Sequence, residues 1–199
     1  MLTTTQLSAE QIEQLISQLT VEEKVAMMAG ADIWRTVAVP RLGIPALKMS
    51  DGPNGARGDA FRDGKSAAVF PVGIVLAQTW NTALVEQIGA AIAEEAKTKG
   101  AQVILAPTVN IHRSPLGGRN FESYSEDPFL AARMTVAYVN GVQGQGIAAM
   151  VKHYIGNEQE FERYSMNSII DERTLREIYL PPFEAAVREA HVYAIMASY

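Results

Sequence analysis

Short apolar runs that end in polar clusters, separated by stretches with helical periodicity, recur along this 199-residue chain and restrict its folds more than any other feature. Residues 46–49, 72–77, 102–106, 148–151 and 192–196 read as five strands. Between them, Asn81 caps a helical pattern with Leu84, Val85, Ile88 and Ile92 inward, which Gly100 stops. Residues 129–143 carry a second pattern, and Asp171 opens a third. Pro181 and Pro182 must break or kink that last helix near Leu180, because proline lacks an amide donor.

Alternating strands and helices imply a parallel sheet with helices outside it. Four run ends lead into conspicuous polar groups: Ser50-Asp51, Thr108-Asn110-His112-Arg113, Lys152-His153 and Ser198-Tyr199. The remaining end, Gln78-Thr79-Trp80-Asn81, is less charged. In a (β/α)8 barrel the C-terminal strand ends form the active face, whereas a doubly wound sheet gathers ligands only near its switch point. The expected fold is therefore α/β, with a TIM-type barrel favoured over a doubly wound sheet. About five strands cannot close such a barrel, so either the strand count is wrong or the polypeptide is incomplete. Residues 1–45 read as an N-terminal helical extension and lead-in, and residues 46–199 as the incomplete barrel. In the extension Ser8 and Gln11 fit a capping box ahead of the stripe Ile12, Leu15, Ile16 and Leu19. Thr20 with Glu23 starts a second helix that Gly30 ends.

A net charge of −5 with scattered basic residues argues against a nucleic-acid partner. Without cysteine there are no disulfides or thiolate metal sites, and His112, His153 and His191 are too far apart for a helical metal motif. No metal and no cofactor are expected. The first residues show no basic segment followed by an apolar one, and no 18-residue apolar run exists. A cytoplasmic protein with no membrane partner is the default expectation.

The densest cluster is the stretch Gly117-Gly118-Arg119-Asn120-Phe121-Glu122-Ser123-Tyr124-Ser125-Glu126-Asp127-Pro128. So charged a loop beside a buried strand is costly unless its groups are paired or used. Arg119 and Glu122 can form an ion pair that positions the arginine, while Asp127-Pro128 reads as the turn and cap of the next helix. Asp51 and Arg57 flank a Gly-Pro turn that can fold them onto one site; the plainer alternative is a surface pair worth less than about 1 kcal/mol. Lys152 and His153 read as two donors to substrate hydroxyls. Adjacent strand residues point to opposite faces, so both reach one ligand only if the backbone turns there. Lys152 is also placed to form a Schiff base; the plainer alternative pairs it with a nearby Glu. Gly64-Lys65-Ser66 imitates the end of a phosphate loop without the leading strand, and Gly141, Gly144 and Gly146 miss the dinucleotide spacing. His191 reads as structural, and Met27, Met28 and Trp34 as core.

Several segments together resemble glycoside hydrolase family 3, most closely its bacterial β-glucosidases. They are KMSDGPNGAR at 48–57, QTWN at 78–81, APTVNIHRSPLGGRNFESYSEDP at 106–128, KHYIGNEQE at 152–160, LREIYLPPFE at 175–184 and MASY at 196–199. The resemblance implies the N-terminal portion of a (β/α)8 TIM-type barrel, about five strands present and not closed within this chain, whose first subsite holds a non-reducing glucose. Matched motif by motif, Asp51, Arg57, Arg119, Lys152, His153, Arg163 and Tyr199 would bind that sugar, Met196 would line the site, and Glu122 would support Arg119. It also implies a retaining mechanism in which an Asp attacks the anomeric carbon and a second carboxylic acid protonates the leaving oxygen. In the family the nucleophile lies beyond the MASY segment and the acid/base usually in a following domain. No catalytic residue is therefore assigned in this chain, which is expected to be inactive alone and to need a missing C-terminal part. The KHYIGNE segment departs from the KHFPGHG loop of the related N-acetylglucosaminidases. The expected partner is a small β-glucoside or oligosaccharide. A Schiff-base lyase using Lys152 and a non-catalytic sugar-binding domain are the alternatives.

Overall fold

The structure is a computed structural model and describes residues 7–58 and 66–199. The leading Met1–Gln6 segment, and Gly64 and Lys65 of the phosphate-loop imitation, lie outside the described residues. Two compact units divide the chain between Lys48 and Met49.

The first unit contains α1 (Ala9–Gln18) and α2 (Val21–Ala29), each opened by a complete capping box, Ser8 with Gln11 and Thr20 with Glu23. Glu23 also accepts from Arg41 Nε at 2.7 Å, while Arg41 Nη2 donates to the Gln18 carbonyl at 2.8 Å. One side chain thus caps α2 and, through Arg41, ties the end of α1 to the 3-10 turn Pro40–Leu42. The Glu23 carboxyl is held down to about 2, chiefly by Arg41 and then by the Thr20 amide. Val39 is buried, and Met27 and Trp34 are half-buried. Met28 is 89% exposed, so its assignment to the core is corrected: α2 turns that position outward.

The second unit begins with β1 (Met49–Asp51), followed by α3 (Gly73–Gln78), α4 (Thr82–Thr98) and β2 (Val103–Leu105). Then come α5 (Pro128–Gly144) and β3 (Ala148–Tyr154). The short α6 (Glu172–Thr174) runs into a π-helical turn, Leu175–Tyr179, before α7 (Pro181–Arg188) and β4 (Ala194–Ala197). All three pairings are parallel and the strand order is β1-β2-β3-β4. Parallel neighbours in sequential order, joined by helical crossovers, are one arc of a (β/α) barrel, left open here.

Among the described residues four strands form rather than the five expected. Residues 73–77 of the expected second strand wind into α3 instead, because an unbroken apolar run has no period that separates strand from buried helix. The helix places Gly73, Leu76 and Ala77 on one buried face and turns Val75 out. Pro181 and Pro182 fall at the start of α7, where their missing amides cost least, and the break lies at Leu180 as expected.

The core lies between the sheet and the outer helices, where Ile104, Ala149 and Val151 meet Val85, Ile92, Met134, Val142, Phe183 and Ala186. Helices α4 and α5 approach closely. A Cβ on Gly89 would come within 2.6 Å of the Tyr138 carbonyl, and one on Gly141 within 2.0 Å of the Glu86 carbonyl. Two glycines therefore let the backbones touch, and their neighbour Tyr138 is fully buried and donates from its hydroxyl to the Pro53 carbonyl at 3.2 Å. The α4–α5 contact is thus coupled to the loop after β1. Among the described residues no helix is long and apolar enough to cross a membrane.

Gly141→Ala drives a methyl into the Glu86 carbonyl, which only a helix shift can relieve. It is expected to destabilise the fold by about 1–3 kcal/mol, measured as a lower denaturation midpoint with unchanged slope. Gly144→Ala, with open space around its Cβ position, is the control.

Candidate functional site

At the C-terminal ends of β1, β2 and β3 the polar residues converge. The turn after β1 is tight: a Cβ on Gly52, at φ 138°, would sit 1.7 Å from the Gly55 carbonyl oxygen, so only glycine fits. The Arg57 amide donates to the Asp51 carbonyl at 2.9 Å and the Gly58 amide to Ser50 Oγ at 2.9 Å. This folding brings Arg57 Nη2 to Asp51 Oδ2 at 3.0 Å. From β3, Lys152 reaches over the intervening β2 and places Nζ 2.8 Å from Asp51 Oδ1. The Lys152 side chain is 3% exposed. Asp51 therefore carries a cation on each oxygen. Burial works to raise its carboxyl, but Lys152 and then Arg57 outweigh burial and hold it below the usual carboxylate range.

His153 follows on β3. The pairing with β4 steps from Lys152↔Met196 to Tyr154↔Ala197, so one extra β3 residue is accommodated at this point. Such a bulge re-aims side chains at a strand end. The ring is buried. Asn110 Oδ1 lies 3.0 Å from both the His153 backbone nitrogen and Nδ1, and Arg119 Nη1 lies 3.2 Å from Nε2. Burial first, then the Arg119 and Lys152 charges, push the imidazole down to about 3, so it is neutral near pH 7.

The loop after β2 supplies Arg119, whose Nε donates to Glu122 Oε1; Glu122 Oε2 in turn accepts from Thr108 Oγ1 at 3.0 Å. Glu122 is buried on a 3-10 turn, Asn120–Glu122, and pairs with the arginine. Asp127 caps α5 by accepting from the Phe129 amide at 2.8 Å, away from this cluster. Beyond β3, Glu160 links two cations: Arg163 Nη1 at 2.5 Å and Arg119 Nη1 at 3.8 Å. The Arg163 guanidinium lies over the Tyr199 ring at 4.3 Å and the Tyr164 ring at 4.9 Å. Met196 holds the register position opposite Lys152.

The sequence-derived residues thus form one chain of contacts. Asp51, Arg57 and Lys152 make one group, while His153, Arg119 and Glu122 make a second. Arg163 and Tyr199 form a third, joined to Arg119 through Glu160. Two clefts open beside them, one lined by Thr108, Asn110, Arg119, His153 and Glu158, the other by Asn157, Arg163, Ser198 and Tyr199. Sequence reasoning left Asn110, Glu158 and Glu160 out of the site. Asn110 carried a signal, since a polar residue between buried Val109 and Ile111 has to be paired. The two glutamates lay in the Asn157–Glu160 run just past β3, where spacing does not tell a partner from a surface charge. His191 is exposed and contributes its backbone carbonyl, which accepts from Gln143 Nε2 at 3.3 Å.

Known proteins are similar to this chain in sequence and in fold. The sequence model described as the glycosyl hydrolase family 3 N terminal domain matches residues 3–199. The chain is similar to a β-glucosidase of Rhizobium radiobacter, 58% identical over 94% of this chain and 23% of that protein. It is similar to β-glucosidase B of Emericella nidulans, 54% identical over 95% of this chain and 22% of that protein. Among solved structures it resembles the Kluyveromyces marxianus β-glucosidase in complex with glucose, with 51% identity and a TM-score of 0.93 over 94% of this chain and 23% of that one. The chain thus spans under a quarter of the length of these relatives.

His153 generates a pH prediction. Its pKa is depressed in the folded protein, from 6.5 to about 3. Below pH 6.5 the unfolded chain binds a proton that the folded one refuses, so stability present above that pH is lost as pH falls towards 3. Chemical denaturation at successive pH values should show His153→Gln losing up to about one proton of this acid dependence relative to the unmodified chain.

Proposed function

The chain belongs to glycosyl hydrolase family 3, and from that membership we propose that it supplies much of the glucose-binding subsite of a retaining β-glucosidase. The observation that carries this reading is the doubly paired Asp51, set with further cation-bearing groups at the C-terminal strand ends. A pyranose offers several vicinal hydroxyls, each both donor and acceptor. A carboxylate fixed by Lys152 and Arg57 keeps lone pairs for two of them, and Arg119 and Arg163 donate to others. In this reading Lys152 and His153 meet further hydroxyls, Tyr199 gives an aromatic edge, and Met196 lines the site.

Bond cleavage in this reading belongs to groups outside these 199 residues. A retaining pair needs two carboxyls about 5–5.5 Å apart, one unencumbered enough to attack carbon. The cluster's carboxylates are engaged: Asp51 by two cations, Glu122 by Arg119 and Thr108, Glu160 by Arg163, and Glu158 by Asn110. They serve as holders of donors. A Schiff-base role for Lys152 needs a free amine, and its nitrogen is instead ion-paired to Asp51. The choice of sugar is supported by the similar β-glucosidases and by the glucose complex of the Kluyveromyces marxianus enzyme.

Calorimetric titration with glucose tests the reading. The chain is expected to bind glucose weakly, and Asp51→Asn and Lys152→Met each to lower affinity at least about tenfold, since each strips a charged partner from a hydroxyl-binding group. Purified alone, it should release no nitrophenol from an aryl β-glucoside. Hydrolysis by the chain alone, or glucose affinity unchanged in both variants, overturns the proposal.

A further inference from the structure

The hydrogen bonds around His153 determine more than its position. A backbone N–H can only donate, so the Asn110 atom 3.0 Å from the His153 nitrogen must be the amide oxygen. That same oxygen faces His153 Nδ1 at 3.0 Å, so Nδ1 must carry the proton. At the other end of the ring Arg119 Nη1, which again can only donate, lies 3.2 Å from Nε2. Nε2 must therefore present its lone pair. Both ends of the imidazole, through unrelated partners, demand the same tautomer. The opposite tautomer would set N–H against guanidinium N–H and lone pair against carbonyl oxygen.

The orientation of Asn110 is itself secured. Its Nδ2 donates to the His153 carbonyl at 3.1 Å and to Glu158 Oε1 at 3.3 Å. Glu158 is buried, and its Oε1 also faces the Ile111 amide at 3.4 Å. A flipped amide would point its oxygen at two acceptors and its N–H groups at the His153 amide.

We propose that Asn110 and Glu158 are positioning residues that lock His153 in the neutral Nδ1–H tautomer, making Nε2 a hydrogen-bond acceptor in the site. Taken with the glucose-subsite reading, on which this consequence rests, a sugar hydroxyl that displaces Arg119 Nη1 from the single Nε2 lone pair donates its hydrogen bond to His153 rather than accepting one. That reverses the donor role its sequence position suggests. With Lys152 and Arg119 donating on either side, one acceptor among donors imposes a direction on the hydroxyl it meets: that hydroxyl must donate to His153 and accept from a cation.

Imidazole nitrogen NMR reads the tautomer directly, without any ligand, on the 199-residue chain labelled at histidine. The unmodified chain should show a protonated Nδ1 and an unprotonated Nε2. Asn110→Leu removes the acceptor and should yield a mixed or Nε2–H population. Glu158→Leu should also give a mixture, whereas Glu158→Gln, which keeps an oxygen acceptor, should restore the single form. If Asn110→Leu does not fold, the two Glu158 variants still decide. A Nε2–H tautomer in the unmodified chain, or an unchanged single Nδ1–H form in every folded Leu variant, overturns the proposal. Glucose titration of the same samples separates the two readings. An affinity about tenfold weaker in Glu158→Leu with rescue in Glu158→Gln supports the tautomer lock acting on the sugar. No glucose binding in the unmodified chain defeats the subsite reading, while the tautomer spectra still judge the lock.

Discussion

Asp51 and Lys152 are 101 residues apart in sequence, yet their charged atoms meet at 2.8 Å across the mouth of the sheet. Much of the remaining site depends on that contact. It spans β2, links the ends of β1 and β3, and holds the Asp51 carboxylate where Arg57 can take its other oxygen. Burying such a pair is a poor way to gain stability, because desolvation offsets most of the Coulomb attraction. Removing either partner is far more damaging, since the other is left charged and unmatched. The pair therefore specifies geometry more than it adds stability.

The same logic extends through the cluster. Four cations, Arg57, Arg119, Lys152 and Arg163, sit near one another at the strand ends, an arrangement that repels itself unless carboxylates intervene. Asp51, Glu122 and Glu160 do so, each placed between or beside cations. In low local dielectric these pairings are directional and hold side chains in single conformations. A neutral His153 in their midst adds no further positive charge, because burial and the neighbouring cations disfavour its protonation. Outside the cluster, the backbone contact between α4 and α5 and the Tyr138 hydroxyl on Pro53 steady the loop that presents Asp51 and Arg57.

Local signals in the chain predicted their structures well. The capping boxes at Ser8 and Thr20, the Asn81 and Asp127 caps and the proline pair at the head of α7 all act through close neighbours in sequence, so spacing alone reveals them. Residues 72–77 mark where local signals fail. Apolar throughout, they satisfy strand and buried helix equally, and packing decided for α3. Met28 fails similarly, since hydrophobicity proposes burial without saying which side of a helix finds a partner. Asn110 was noted only as a polar group at a run end and Glu158 was not singled out, because their partners lie far along the chain: His153 is 43 residues from Asn110, and Asn110 is 48 from Glu158.

By itself the sequence determined a parallel α/β arrangement with polar strand exits, and it named the ionisable residues that those exits carry. Those are properties of periodicity and residue type, which survive without knowledge of what touches what. The tertiary structure alone decided which cation meets which carboxylate, which strand of the expected five becomes helix, and which nitrogen of His153 keeps its proton. Each of these is a choice among partners distant in sequence, settled by desolvation and hydrogen-bond direction once the strands bring them within about 3 Å.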